Sequence, residues 1–396
     1  MTPEPKSRSA VLQAVANFGH KVMAHSRQIG IGIIGGGYMG KAHAVAMQAV
    51  GPVFDPKLRP RCEMIATTSA AGAADKARHF GFLRSTGDWR ELVADPKVEA
   101  VVIASPQGTH QEIALAAFAL GKPVFCEKPL GRNLAESRAM LAAAEASGVV
   151  HMTGFNYIRT PASQLARQIV AAGEIGEITY FRGEHTEDFL ADPATPVSWR
   201  CHGRAHGAMG DLAPHMLNGA LALAGPIHAL IADIETVHRQ RPGPDGPEEV
   251  TNDDQGHLLC RFESGAMGAL HFSRVATGRK MGYAYEITGT KGAIRFDQED
   301  QNALWLYQGS ARADRQGFTK ILTGPDHPDY LPFCQGPGHG TGYQDQIIIE
   351  ARDFLHAIET GQPVWPTFAD GMRVNQLVEA AFRSASGQCW IDVATV

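Results

Sequence analysis

The chain has 396 residues, too many for one ordinary hydrophobic core and comfortable for two domains. Hydrophobic residues make up 44% and charged residues 19%, which is a globular composition and excludes a disordered chain. The formal net charge of -5 offers no basic field for nucleic acid, and no apolar run reaches membrane-spanning length, so neither partner is expected.

Residues 1–28 hold no long apolar centre and do not resemble a signal peptide; they read as a tail, with Met23 as a second possible start. Six cysteines lie far apart (Cys62, Cys126, Cys201, Cys260, Cys334 and Cys389), and none form a C-x-x-C pair. Reduced thiols in a cytoplasmic protein are expected.

From residue 29 to 154 strands and helices alternate. Ile29–Ile34 is an apolar strand, Met39–Val50 a helix, Glu63–Thr67 a strand, and Ala70–Phe80 a helix. Val98–Ala104 is a buried strand, followed by helices at Gly108–Leu120 and Leu134–Ser147, with Pro123–Phe125 as a strand between them and Val149–Thr153 closing the set. That alternation predicts a parallel sheet covered on both faces. From residue 155 the rhythm changes. After a helix at Pro161–Ala172, strand-like segments follow at Ile178–Glu184, Ile227–Val237, Gly256–Phe262, Met267–Arg274, Tyr283–Thr288 and Ala293–Phe296. Tight turns between several of them predict a mostly antiparallel, open sheet with helices on one side. Arg241–Glu249 is read as a solvated loop, and 309–342 as a long irregular segment of functional interest. Helices are expected at Tyr343–Thr360 and Asp370–Ser384, placed to pack back on the first domain.

Gly35, Gly37 and Gly40 fit G-x-G-x-x-G between a strand and a helix. The first glycine permits the turn, the second lets backbone approach a pyrophosphate, and the third lets helix meet strand closely. The helix opening at Tyr38 and Met39 then presents free N–H groups and a partial positive charge to phosphate. An NAD-type site carries an acidic residue near the end of the second strand. Here that region reads Ala66-Thr67-Thr68-Ser69-Ala70, with Ser69 at the expected position and Lys76 and Arg78 close by. A hydroxyl does not repel a 2′-phosphate, so NAD or NADP is expected, unless Lys76 and Arg78 merely form a solvated face.

Lys128 lies in Cys126-Glu127-Lys128-Pro129, where the proline favours extended geometry at the end of a strand. A lysine there points into the crevice where ligands of open α/β sheets bind and can hydrogen-bond a reacting oxygen. Glu127 is either its ion partner or a contact to the cofactor ribose. A second constellation is Gly210-Asp211-Leu212-Ala213-Pro214-His215-Met216-Leu217-Asn218. Asp211 and His215 are spaced i, i+4 at the start of a helix, with Asn218 following on the same face. A histidine takes a carbinol proton as hydride leaves, and an aspartate orients it; alternatively Asp211 is only a helix cap. Ser105 and Pro106, with His110, follow the Val98–Ala104 strand and are candidates for the nicotinamide side. Tyr157, Trp199 and Arg200 are candidates for the substrate, as is His339, with Tyr343 beside it. Cys201-His202 with His206 is dense in metal-ligand types but holds no strong ligand motif, so no metal is expected.

These residues together resemble the Gfo/Idh/MocA oxidoreductases, the family of glucose-fructose oxidoreductase and inositol dehydrogenase. The resemblance rests on Gly35-Gly-Gly-Tyr-Met-Gly40, Glu127-Lys128-Pro129-Leu130, and Asp211 with His215, supported by Ser105-Pro106 and Gly289-Thr290-Lys291-Gly292. It spans roughly residues 29–396. It implies a Rossmann domain followed by an α+β domain with a large, mostly antiparallel open sheet. It implies NAD(P)-linked oxidation of a secondary alcohol on a sugar or cyclitol, or the reverse. Carried over, Lys128 polarises the substrate oxygen, Asp211 orients, and His215 is the acid/base. The open sheet face implies a homodimer or homotetramer. Gly154-Phe155-Asn156-Tyr157 and Ser198-Trp199-Arg200 resemble the inositol 2-dehydrogenase and levoglucosan dehydrogenase branch. Ser69 and Asn218 stand where many members have Asp. The family also has non-catalytic relatives, an alternative that retention of all three catalytic positions argues against.

Overall fold

The computed structural model describes residues 27–396. Residues 1–26, the bulk of the expected tail, lie outside the described residues.

Six strands form the first sheet: β1 Arg27–Ile34, β2 Leu58–Ala66, β3 Arg84–Thr86, β4 Ala100–Ile103, β5 Val124–Glu127 and β6 His151–Gly154. Their order is β3-β2-β1-β4-β5-β6, and every pairing is parallel. The parallel pairing comes from crossover connections, which lay helices on both faces and bury the central strands. All four residues of β4 and of β5 are buried, so helices must cover both sides. Those helices are α1 Tyr38–Phe54, α2 Ala70–Phe80, α3 Trp89–Ala94, α4 His110–Ala119 and α5 Leu134–Ser147. The short β3 and α3 carry too few periodic positions to be read from sequence.

The second half contains α6 Pro161–Ala171, a four-residue turn of helix α7 Ala208–Asp211, α8 Ala213–Ala224, α9 Tyr343–Thr360 and α10 Phe368–Gly387. Its sheet has nine strands: β7 Ile178–Thr186, β8 Ile227–Glu235, β11 Gln255–Phe262, β12 Met267–Ser273, β13 Gly282–Gly289, β14 Gly292–Asp297, β15 Ala303–Gln308, β16 Thr319–Leu322 and β17 Ile391–Asp392. All pairs are antiparallel except β7 with β12. Ala166, Met216, Leu217 and Leu377, from α6, α8 and α10, pack into one core with Phe181, Phe262 and Tyr285 of the sheet. The other face is open. One cross-strand row on it reads Ile231, Leu259, Ala269, Arg182, Glu286, Arg295 and Trp305. Helix α9 sends Ile347, Ala351 and Phe354 into the core formed by β1 and α1.

The segment 241–249, expected as a solvated loop, is a hairpin: β9 Gln240–Gly243 pairs with β10 Gly246–Glu249. Arg241 is fully buried rather than solvated, because its guanidinium donates to the carbonyls of Leu190 (2.6 Å) and Asp192 (2.9 Å). The Pro/Gly content marks the turn, while buried carbonyls from a distant loop decide the strand. The 309–342 segment also gains order: it contains β16, and Tyr330 is fully buried with its hydroxyl donating to Gly336 O at 2.8 Å.

Candidate active site

The carboxyl ends of β1, β4 and β5 share one edge, where the strand order switches direction, and loops from all three converge there. Gly35 has φ +114, and a Cβ on it would strike Ala104 O and Ser105 N. A Cβ on Gly40 would strike Gly35 O, so α1 packs directly on its own loop. Gly37 differs: nothing lies within 4 Å of where its Cβ would be, and it caps α1 with no side-chain hydrogen bond. Open space over uncapped N–H groups is what a pyrophosphate requires. The residues present therefore fit a dinucleotide. Tyr38 is 71% exposed, and its ring lies 5.9 Å from that of Tyr343, whose hydroxyl reaches Met39 Sδ at 3.5 Å.

Ser69 caps α2: its Oγ accepts from Gly72 N at 3.2 Å. The stem of Lys76 lies against Gly36, with Cγ at 3.0 Å from its Cβ position. The nearest acid after β2 is Asp75, which is tied to Arg78 at 2.6 Å. Ser105 Oγ and Thr109 Oγ1 are 2.7 Å apart, in the turn that Pro106 opens before α4. His110 does not face the cleft. It is buried, with Nε2 2.9 Å from Ser105 O and Nδ1 3.1 Å from Pro129 O. Its ring nitrogens face carbonyls of the β5 loop and the β4 loop; a neutral ring donates to one of the two, and neither nitrogen is turned toward a cofactor. Burial holds this imidazole below its ordinary pKa.

Glu127 is not the ion partner of Lys128. Its Oε1 lies 2.7 Å from Nε2 of His43, a wholly buried residue of α1. Sequence reading missed His43; its only signal was the position three residues after Gly40, on the helix the glycine loop opens. Lys128 instead reaches across to the second domain. Its Nζ donates to Asp211 Oδ1 at 2.7 Å and to Asp211 O at 2.9 Å. Asp211 Oδ2 receives Arg200 Nη1 at 3.0 Å. Asp211 ends α7 and does not cap α8, which starts at Ala213 without a side-chain cap. Burial pushes its carboxyl up, but Lys128, and then Arg200, outweigh that and hold it below its ordinary pKa.

His215 stands one turn on, 7% exposed. Burial first, then repulsion from Lys128 and from His185, holds its pKa well below the ordinary value, so the ring is neutral at pH 7. His185, at the end of β7, was not singled out by sequence. Its ring is 5.4 Å from that of His215, and its Nδ1 lies 2.9 Å from Leu212 O, so it pins the link between α7 and α8. Tyr157 packs 4.5 Å from His215 and 6.1 Å from Tyr343, which joins the glycine loop to the imidazole by an aromatic run. Asn218 is buried at 1% exposure, one turn past His215. Trp199 is 58% exposed, with the Arg200 guanidinium 4.4 Å over its ring. His339 is exposed, and its Nδ1 meets Cys334 in its own loop at 3.1 Å, with no partner among the residues above. His206 Nε2 lies 3.0 Å from Gln107 Oε1. Among the described residues, no group of three or more His, Cys, Asp or Glu is placed to hold a metal ion.

The segment carrying Trp199 and Arg200 is held from below by Arg274, which the sequence reading took only as a strand end. Arg274 and Asp254, with side chains 1% and 0% exposed, pair at 2.9 Å. Arg274 Nη1 also donates to Arg200 O (2.7 Å) and His206 O (2.9 Å). Arg274→Met therefore strips the fully buried Asp254 of its guanidinium partner and leaves it only the backbone N–H of His238, at 2.8 Å. We expect a loss of about 3–5 kcal/mol in unfolding free energy, measured by denaturant titration; a change under about 1 kcal/mol would contradict this account.

Residues 29–155 match the family described as oxidoreductase, NAD-binding Rossmann fold, and residues 163–295 match the Gfo/Idh/MocA C-terminal domain. The chain belongs to the Gfo/Idh/MocA oxidoreductases. It is similar to levoglucosan dehydrogenase of Pseudarthrobacter phenanthrenivorans, 40% identical over 389 residues, covering 93% of this chain and 99% of that one. A solved levoglucosan dehydrogenase in complex with NADH and levoglucosan superposes with a TM-score of 0.90 at 42% identity, covering 93% and 100%. The scyllo-inositol 2-dehydrogenase (NAD(+)) of Bacillus subtilis is 30% identical over 347 residues, covering 85% and 87%.

Proposed function

We propose that this oxidoreductase oxidises a secondary alcohol of a sugar or cyclitol to a ketone, or the reverse, with Lys128, Asp211 and His215 as its proton and charge machinery. The observation that carries the reading is the 2.7 Å contact of Lys128 Nζ with Asp211, one turn from a neutral buried imidazole, beside the open glycine cradle. NAD, when bound, supplies the hydride acceptor. The chain supplies the rest. Lys128 gives two of its N–H groups to Asp211 and offers the third to the reacting oxygen, so charge developing there is met by a fixed donor. His215, being neutral, accepts the hydroxyl proton at the nitrogen that faces the cleft. Asp211 holds Lys128 in place and, through Arg200, the rim that carries Trp199, an aromatic face for a sugar ring. Glycine-loop residues Gly35 to Gly40, with Tyr38 and Met39, take the pyrophosphate side. Ser105, Pro106 and Glu127 border the nicotinamide half. The likeness to levoglucosan dehydrogenase favours an anhydrosugar or related polyol.

A panel of anhydrosugars, inositols and hexoses with NAD, followed by absorbance of the reduced cofactor, tests the reading; no reduction with any of them contradicts it. The side of the site beyond β2 has no free carboxylate, and Lys76 lies against the loop, so NADP is expected to support turnover as well. A preference for NAD above about a hundredfold in kcat/KM overturns that expectation. Lys76→Ala should weaken use of NADP roughly fivefold and leave NAD unchanged.

The open face of the second sheet exposes Leu259 (54%), Met267 (48%) and Trp305 (37%) between charged neighbours. A second copy of this chain is the occupant we propose, giving a homodimer or homotetramer. Leu259→Glu with Trp305→Glu should yield monomers in analytical ultracentrifugation; an unchanged mass rules this face out. No helix among the described residues is long and apolar enough to cross a membrane. All six cysteines are free, four of them buried, which suits a reducing compartment, and we propose the cytoplasm.

A further inference from the structure

Behind His215 lies a set of buried polar atoms that the proton step above does not use. Among the described residues, His215 Nδ1 has no hydrogen-bond partner, and neither do Asn218 Oδ1, Asn218 Nδ2 or the Tyr283 hydroxyl. The three residues are 7%, 1% and 0% exposed. They are also neighbours. His215, Asn218 and Gly219 stand at i, i+3 and i+4 on one face of α8. The Tyr283 hydroxyl occupies the place a Cβ on Gly219 would take, so its oxygen lies against that same face. Tyr283 arrives there from β13, paired with His185 on β7. Tyr157 closes the group, 4.5 Å from the His215 ring and 5.1 Å from that of Tyr283.

The chemistry of the imidazole gives these atoms a task. After His215 has taken a proton on the nitrogen facing the cleft, both ring nitrogens carry hydrogen, and Nδ1–H needs an acceptor. A buried N–H without one disfavours the imidazolium, and so weakens the base. The other groups around the ring do not provide it. Lys128, from the end of β5, and His185, from β7, repel a positive ring; Glu187 pairs with His185 at 3.2 Å; Asp211 is committed to Lys128 and Arg200. Tyr157 donates its hydroxyl hydrogen to Met281 Sδ at 3.5 Å, so its oxygen, though still an acceptor, already belongs to a partnered hydroxyl. The unpartnered oxygens are those of Asn218 and Tyr283.

We propose that Asn218 and Tyr283 are positioning residues which, with one hydroxyl-bearing molecule seated between them, accept His215 Nδ1–H and fix the ring with its other nitrogen toward the substrate. The Nδ1 proton is shared and never leaves the ring; the carbinol proton stays on the opposite nitrogen until it is released to solvent. The hydroxyl is that of a water or of the polyol itself, and the hydrogen bonding is the same for both. This inference rests on His215 as the proton-transfer group and reassigns Asn218 from substrate contact to support.

The test is the pH profile of kcat/KM for polyol oxidation in Tyr283→Phe, Asn218→Leu and Asn218→Asp. Tyr283→Phe and Asn218→Leu remove acceptors, so the acid limb should move to lower pH by about half a unit to one unit, with kcat down about tenfold or less. Asn218→Asp adds a negative acceptor, stabilises the imidazolium, and should move the same limb to higher pH. Opposite signs at one position are not expected of a packing role. Limbs unmoved in all three variants, movement in one direction only, or a raised KM with no limb shift overturn the inference. If the variants do not fold, nitrogen-15 spectra of the histidines in the unsubstituted protein decide, with the His215 signals assigned by their loss in His215→Gln. Neutral His215 should carry its proton on Nδ1; a proton on the other nitrogen overturns the inference. A hydrogen-bonded Nδ1–H without substrate points to water, and one appearing only with polyol points to the substrate. If His215→Ala keeps turnover, the functional reading itself falls. If His215→Ala is inactive and the limbs do not move, only the present inference falls.

Discussion

Replacing Lys128 with alanine should lower kcat by about 10²–10³-fold while NADH binding, followed by fluorescence titration, is retained. The ammonium sits at the strand end beside Asp211, and its own position is fixed by two hydrogen bonds to that residue. Its loss removes the charge that steadies the reacting oxygen. It also removes the group that holds the Asp211 carboxyl below its ordinary value, so Asp211 is left to Arg200 alone. Lys128→Arg is not a mild change, because a planar fork cannot reproduce a point donor that bonds both a carboxylate and a carbonyl. We expect it to restore less than a tenth of the activity, as an order-of-magnitude figure. The glycine cradle is built from other residues, so cofactor affinity is the internal control. A Lys128→Ala protein that turns over at the native rate would remove this residue from the mechanism.

Replacing His215 with alanine should lower kcat by about 10²–10⁴-fold, the usual range for a general acid or base. The imidazole is already neutral at pH 7 because burial, Lys128 and His185 all oppose its protonation. Polyol oxidation should therefore stay level through neutral pH and fall only as pH drops through the low folded-state value. An acid limb at or above about 6.5, where an unperturbed histidine titrates, speaks against this assignment. Stability has the same sign. In the unfolded chain the histidine binds a proton near 6.5, while the folded chain resists it, so stability falls as pH drops below that value. Asp211 adds to this at lower pH. Its folded pKa is depressed, so the stability it contributes is present above the unfolded value near 3.9 and is lost as pH falls through the folded one. Thermal unfolding between pH 4 and 8 should show the native protein losing more stability in acid than His215→Ala does.

Much of the site was legible from spacing alone, because local chemistry forces it. Gly35, Gly37 and Gly40 are where a turn, an open approach and a close helix contact are required, and each is built that way. Lys128 follows directly from a buried strand, so its placement at the sheet's carboxyl edge needed only the strand to be recognised. Other residues misled for physical reasons. His110 sits in a sequence that reads as a cofactor loop, yet its ring nitrogens face the carbonyls of Ser105 and Pro129. Arg241 lies in a Pro/Gly-rich acidic stretch, yet carbonyls of the 190–192 loop bury it. Nothing in the local pattern says which distant oxygen atoms a side chain will meet.

The sequence by itself determined the alternating α/β half, the strand-rich second half, the glycine turn, and a lysine after a buried strand with an aspartate and a histidine spaced i, i+4 elsewhere in the chain. Those follow from period and turn chemistry, which act over a few residues. Only the tertiary structure decided that Lys128 bonds Asp211 across 83 positions, that His43 and not Lys128 holds Glu127, and that His185 and Tyr283 surround His215. These contacts depend on how two sheets and their helices pack against each other, and packing is a property of the whole chain that no short window contains.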